Sequence, residues 1–234
     1  MTNPNLTSIN VIIDQSGSMQ GLQTDTIGGY NGFLADQKQA PGEALFTLCT
    51  FNDDYRLVHD FVKVASVPDL NTTTYKPQGS TALLDAMGET ITEVGRKLSA
   101  MKEEDRPSKV IFLVVTDGQE NASTRYKKAQ IRDMVTHQSD VYNWEFIFMG
   151  ANMDAVTEGT SLGFSGRNSV SYDATRGGTD QLYKSISSNT TSYRGQGRSK
   201  IDFFNQGNIA PKATTSTTTT TTTVVTPVTP PKSK

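Results

Sequence analysis

The run Ser8 to Ile13 is apolar and β-branched, stops at Asp14 and gives way to the polar, glycine-containing stretch Gln15-Ser16-Gly17-Ser18. This is the pattern of a buried strand running into a loop. Ile27, Tyr30 and Leu34 then recur at helical spacing in spite of the weakening pair Gly28-Gly29, and Pro41-Gly42 ends that helix. Two strand-like runs follow, Ala44 to Phe51 and Tyr55 to Val64, joined by Asn52-Asp53-Asp54, a connection short and polar enough for an antiparallel hairpin. The clearest amphipathic helix carries Leu83, Met87, Ile91, Val94, Leu98 and Met101 at steps of three and four residues. Beyond Pro107, Lys109 to Thr116 is a nearly continuous apolar run, as expected of a central parallel strand covered on both faces, and it too ends on an aspartate, Asp117. Helix around Ile131 to Gln138, buried strand Trp144 to Met149, short helix Ala155 to Leu162, edge strand Ser169 to Tyr172 and a last helix Asp180 to Tyr193 complete the alternation.

Strands alternating with helices predict an α/β fold: a doubly wound, mostly parallel sheet with helices on both faces and one antiparallel strand at an edge. The alternation occupies residues 6–195, after an N-terminal extension 1–5 and ahead of a C-terminal extension 196–213. From 214 to 234 the chain is Thr-rich and then Thr/Val/Pro/Lys, a composition that supplies no core and predicts a disordered tail.

Among 234 residues, 22 basic and 24 acidic side chains leave a net charge of −2, so no whole-chain positive field favours nucleic acid or an anionic membrane. The apolar runs are too short to span a bilayer. One cysteine, Cys49, excludes an intramolecular disulfide and a multi-cysteine zinc site and fits a reducing compartment. With no signal-type segment at Met1 to Ile13, the expectation is a cytoplasmic protein, and separately one that is monomeric on its own.

In open α/β sheets ligands sit beyond the carboxyl ends of the strands, where the strand order reverses. Asp14 and Asp117 both occupy such ends, Ser16 and Ser18 lie two and four residues past Asp14, and Gly79-Ser80-Thr81 opens the strong helix. Two carboxylates and three hydroxyls are hard oxygen donors, suited to Mg²⁺, Mn²⁺ or Ca²⁺ rather than zinc or copper. An open position on an incompletely neutralised ion would draw a carboxylate from outside, which points to an Asp or Glu on a protein partner.

Asp14-Gln15-Ser16-Gly17-Ser18, Gly79-Ser80-Thr81 followed by Ala82-Leu83-Leu84-Asp85-Ala86, and Val115-Thr116-Asp117-Gly118 resemble, in order and spacing, the metal-ion-dependent adhesion site (MIDAS) of the von Willebrand factor type A (VWA) domain. The resemblance covers about residues 6–195 and is closer to intracellular bacterial and phage members than to secreted adhesins. It implies metal ligands at Asp14, Ser16, Ser18, Thr81 and Asp117, Mg²⁺ as the usual ion, and a binding module rather than an enzyme. The Thr-rich tail is no part of that pattern.

Simpler explanations compete with it. Asp14, Ser16 and Ser18 fit a helix-capping loop, and Thr81 fits a cap of the helix beginning at Ala82. Glu120 and Asn121 fit a polar turn and are left outside the site, His59 and His137 fit solvated positions, and Cys49 an inert core thiol. A P-loop, a Gly-x-Gly-x-x-Gly turn and a Gly-x-Ser-x-Gly elbow are all missing. The alternatives are a scaffold that binds without metal and a Mg²⁺-dependent phosphohydrolase.

Overall fold

In the computed structural model, residues 1–172, 176–195 and 203 are described. Six strands form one sheet in the order β3-β2-β1-β4-β5-β6: β1 Asn3–Asp14, β2 Glu43–Phe51, β3 Tyr55–Lys63, β4 Pro107–Thr116, β5 Glu145–Ala151 and β6 Ser169–Tyr172. All neighbours are parallel except β2 and β3, whose antiparallel pairing leaves β3 at one edge and β6 at the other. The helices are α1 Gln23–Gln39, α2 Leu83–Ala100, α3 Lys128–Tyr142, α4 Ala155–Ser161 and α5 Arg176–Gly195. The predicted architecture is present, including its antiparallel edge strand.

The chain steps from β1 to β2 on one side and returns to β4 on the other, so β1 pairs with both. Ile9 lies opposite Phe46 in one neighbour and Ile111 in the other, and every residue from Leu6 to Asp14 is buried. A strand covered on both faces reads as an unbroken apolar run rather than an alternation, which is why β1 and β4 stand out in the sequence.

The sheet separates two cores. On one face α1 and α5 pack Tyr30, Phe33 and Leu34 with Leu182, Tyr183 and Ile186 over Ile9, Val11 and Ile13. On the other, α2 and α3 close Met87, Ile91, Val94, Ile131 and Val135 over Ile12, Phe112 and Val114. The Phe112 ring stacks on Trp144 at 5.4 Å and on Phe146 at 5.0 Å between centroids, within the range in which aromatic pairs add to area burial.

Of the Gly28-Gly29 pair that weakens α1 in the sequence, Gly29 has a packing cause: a Cβ there would sit 2.1 Å from Tyr183 Cδ2, so the missing side chain is a notch for α5. At the N-terminus, residues 3–5, read as an extension, are the first residues of β1, and the Asn3 N–H donates to the Arg106 carbonyl at 2.8 Å. Of the predicted extension 196–213 only Phe203 is described; it is fully buried against Tyr193, and its N–H donates to Asn168 Oδ1 at 3.1 Å. The tail 214–234 lies outside the described residues.

Candidate metal centre

The switch point lies between β1 and β4, and both strands end there on acid: Asp14 closes β1 and Asp117 follows the last residue of β4. Asp14 is fully buried, and its two oxygens are held separately. Oδ1 accepts from the Ser16 N–H at 2.7 Å and Oδ2 from the Thr116 hydroxyl at 2.6 Å. The Tyr75 hydroxyl, rising from the irregular segment before α2, donates to the Asp14 carbonyl at 2.6 Å. The first two bonds fix the carboxylate from its own loop and the neighbouring strand, and the third anchors the Asp14 backbone.

Ser16 and Ser18 face each other with hydroxyl oxygens 3.0 Å apart, and Ser18 donates to Asp117 Oδ1 at 2.6 Å. Thr81 enters from the loop before α2: a Cβ on Gly118 would sit 2.9 Å from Thr81 Oγ1 and 3.3 Å from Ser18 Oγ, so both hydroxyls border the same small space. That loop lies against the first one, because the Gly17 N–H donates to the Gly79 carbonyl at 2.9 Å and Gly79 takes the left-handed conformation at φ 77°. Asp14, Ser16, Ser18, Thr81 and Asp117, drawn from three loops, thus stand together at the carboxyl ends of β1 and β4.

For Ser16 and Thr81 the helix-cap explanation does not hold. Ser16 precedes a 3-10 turn, Gly17–Leu22, yet its side chain makes no capping hydrogen bond. Thr81 lies ahead of Ala82, the true N-cap of α2, and the first N–H groups of that helix are taken by a different loop: Leu84 donates to Glu120 Oε2 at 2.9 Å and Asp85 to Ser123 Oγ at 3.0 Å.

Burial drives the Asp14 carboxyl above the usual carboxylate range against the pull of the Ser16 and Thr116 hydrogen bonds, and Asp117 adds repulsion. Burial likewise raises Asp117 against the Ser18 hydrogen bond. Two carboxylates whose ionisation is opposed by desolvation, with no Lys or Arg among their causes of shift, form a small site that favours a cation.

Solved structures with this arrangement of strands and helices include a von Willebrand factor type A protein from Catenulispora acidiphila, 14% identical over 81% of this chain and 43% of that one, with a TM-score of 0.53. Proximal thread matrix protein 1 from the mussel byssus, in a form with a zinc-occupied MIDAS motif, is 14% identical over 82% of this chain and 47% of its own, at a TM-score of 0.52. The open conformation of the pilus adhesin SpaC from Lactobacillus rhamnosus GG is 12% identical over 82% and 30%, at 0.58. The fold is that of a von Willebrand factor type A domain. This chain spans less than half the length of each of these three. No protein-family model matches the sequence, and no curated protein matches it.

The side chains at this VWA switch point fit a hard divalent ion. Octahedral metal–oxygen bonds of about 2.1 Å place neighbouring ligand oxygens about 3.0 Å apart, the separation of the two serine hydroxyls. Among the described residues no three His, Cys, Asp or Glu side chains cluster as a metal site, so a site built here draws on hydroxyls beside its two carboxylates.

Four residues outside the expected ligand set shape this site. Thr116 and Tyr75 hold Asp14. Glu120 and Asn121, set aside as a polar turn, both bind the Thr81 segment: Glu120 at the start of α2, and Asn121 through its Oδ1, which accepts from the Thr81 N–H at 2.9 Å. Thr116 lies within the motif that ends β4 and Glu120 and Asn121 follow it closely, whereas nothing in the spacing marks Tyr75. His59 is half-buried on the edge strand β3 and stands away from the site, while Cys49 is fully buried with its thiol pushed up to about 12.

Proposed function

We propose that the chain is a protein-interaction module that holds Mg²⁺ through Asp14, Ser16, Ser18, Thr81 and Asp117 and uses it to recognise an Asp or Glu side chain of a protein partner. The observation that carries this reading is the convergence of two carboxylates and three hydroxyls from three loops on one space at the strand-order switch point. When bound, the ion supplies a coordination position open to an external carboxylate; Mn²⁺ or Ca²⁺ would serve the same donors. Asp14 and Asp117, both ionised, match the formal charge of the ion and the hydroxyls add none, so it is the open coordination position, and not a net positive charge, that draws an external carboxylate. The zinc-occupied MIDAS motif of the byssus protein is a precedent for a divalent ion in a protein of this fold.

The monomer and the cytoplasm are the proposed setting, the latter on the single buried thiol of Cys49. No described helix is long and apolar enough to cross a membrane.

Isothermal titration of the metal-free protein with MgCl₂ tests the ion, and capture of lysate proteins in Mg²⁺ and in chelator tests its use. A Mg²⁺ heat that Asp117→Ala abolishes, with a partner captured in Mg²⁺ alone, is the expected result. Capture indifferent to chelator and to Asp117→Ala would overturn it in favour of a scaffold, and Mg²⁺-dependent turnover of a generic phosphoester would favour a hydrolase.

A further inference from the structure

The loop that follows Asp117 is fastened to the segment that carries Thr81 by bonds in both directions. The Thr81 N–H donates to Asn121 Oδ1 at 2.9 Å, and the Thr81 carbonyl accepts from the Asn121 N–H at 3.0 Å and the Ala122 N–H at 3.2 Å. Both backbone polar groups of Thr81 are thus committed to residues four and five positions past Asp117. No helix of its own holds Thr81, since α2 begins beyond Ala82.

The same loop is itself held rigid. Glu120 Oε1 accepts from the Ala122 and Ser123 N–H groups at 2.9 and 2.7 Å, and Oε2 accepts from Leu84 N–H and Ser123 Oγ at 2.9 and 2.7 Å. Asp85 returns the grip, accepting from the N–H groups of Thr124, Arg125 and Tyr126 at 2.9, 2.9 and 2.8 Å. The Asp85 carboxyl, although partial burial opposes it, is held below the usual carboxylate range by those three donors. The loop is therefore a fixed frame, and Asn121 is the side chain through which that frame reaches the Thr81 N–H.

We infer that Asn121 is a positioning residue for the metal centre: it fixes the backbone of Thr81, and so the place of the Thr81 hydroxyl, relative to Asp117. This rests on the Mg²⁺ reading above. Ligand orientation by partners behind the ligands is worth about 10- to 100-fold in metal affinity. Asn121 is solvent-exposed and its side chain makes one of the three bonds to Thr81, the other two being backbone bonds that a substitution leaves in place, so the low end of that range is expected.

The experiment compares the full chain with Asn121→Ala, which removes the acceptor, and Asn121→Asp, which keeps one. Mg²⁺ affinity is read by titration calorimetry, and exchange of the Thr81 amide proton is read by NMR in chelator, where metal plays no part. The expected result is a Kd weakened about tenfold and faster Thr81 exchange in Asn121→Ala, with Asn121→Asp at or above the wild-type affinity and protected like the wild type. Equal affinity in all three proteins, or an equal loss in both variants, overturns the inference while leaving the Mg²⁺ reading standing. A wild-type protein that binds no Mg²⁺ brings down both. Loss of thermal stability in chelator with Kd and Thr81 exchange unchanged assigns Asn121 to the scaffold of the loop and also overturns it.

Discussion

Thr116→Val tests what holds Asp14. Valine keeps the volume of the buried threonine and deletes the hydroxyl that donates to Asp14 Oδ2 at 2.6 Å. Asp14 is fully buried, so no water replaces the lost donor, and a hydrogen bond to a charged group is worth about 1.5–3 kcal/mol. For a domain of this size each kcal/mol moves Tm by roughly 2–4 °C, so a loss of about 2 kcal/mol lowers Tm by roughly 4–8 °C. The effect carries a pH signature. Burial raises the folded-state Asp14 carboxyl above its ordinary value of 3.8, so the stabilising contribution of the neutral form is complete below that value and is lost as pH rises through the folded value. Removing the Thr116 donor, which favours the ionised form, pushes the carboxyl higher still. In chelator the Tm deficit of Thr116→Val is therefore larger near pH 7.5 than near pH 4, where a greater share of the deleted bonds goes to a neutral group. Differential scanning calorimetry of both proteins at the two pH values measures it. An equal deficit at both, or one below about 1 °C near neutral pH, would refute the claim that Thr116 supports the Asp14 carboxylate.

Other expectations follow from the same geometry. Asp117→Asn keeps an acceptor for Ser18 and removes a charge opposed by burial, so in chelator its Tm should equal or exceed wild type while the Tm rise on adding Mg²⁺ disappears. Gly118→Ala places a methyl 2.9 Å from Thr81 Oγ1 and 3.3 Å from Ser18 Oγ; calorimetry should show weakened Mg²⁺ binding, and unchanged binding would mean Thr81 lies outside the site. Because metal binding requires both raised carboxyls to be ionised, the Mg²⁺-dependent Tm increase should shrink as pH falls from about 7.5 to 4.5, and a pH-independent increase would count against Asp14 and Asp117 as ligands. Gly29→Ala drives a methyl to 2.1 Å from the Tyr183 ring and should cost about 1–3 kcal/mol in urea denaturation, with no effect on Mg²⁺ affinity.

The parts of this structure that the sequence displayed are those with local periodicity. β1 and β4 are buried on both faces and so appear as unbroken apolar runs; α2 repeats its apolar positions at three and four; and the site residues sit where such runs end. The start of β1 was harder to see, because Asn3 is held by pairing with a neighbouring strand and not by apolar character. What stayed hidden is every bond that joins distant loops. Tyr75 reaches Asp14 across 61 positions and Glu120 reaches Leu84 across 36. A tyrosine in an irregular segment and a glutamate in a polar turn carry no spacing that marks such partners. The glycines misled in another way: Gly29 looked like a helix weakener and is a seat for Tyr183.

The borrowed start of α2 has a consequence for how the chain assembles. Its Ala82 N-cap contributes no side-chain bond, and the donors of its first turn are met by Glu120 and Ser123, which enter only after β4. The body of the helix can therefore form early from its own apolar repeat, while its first turn stays frayed until β4 has docked beside β1 and closed a loop of more than thirty residues. Thr81, one step upstream, gains its fixed place in the same event. A nascent or partly folded chain thus presents Asp14, Ser16 and Ser18 without their counterparts from the other two loops, and a competent centre arises only with the completed sheet.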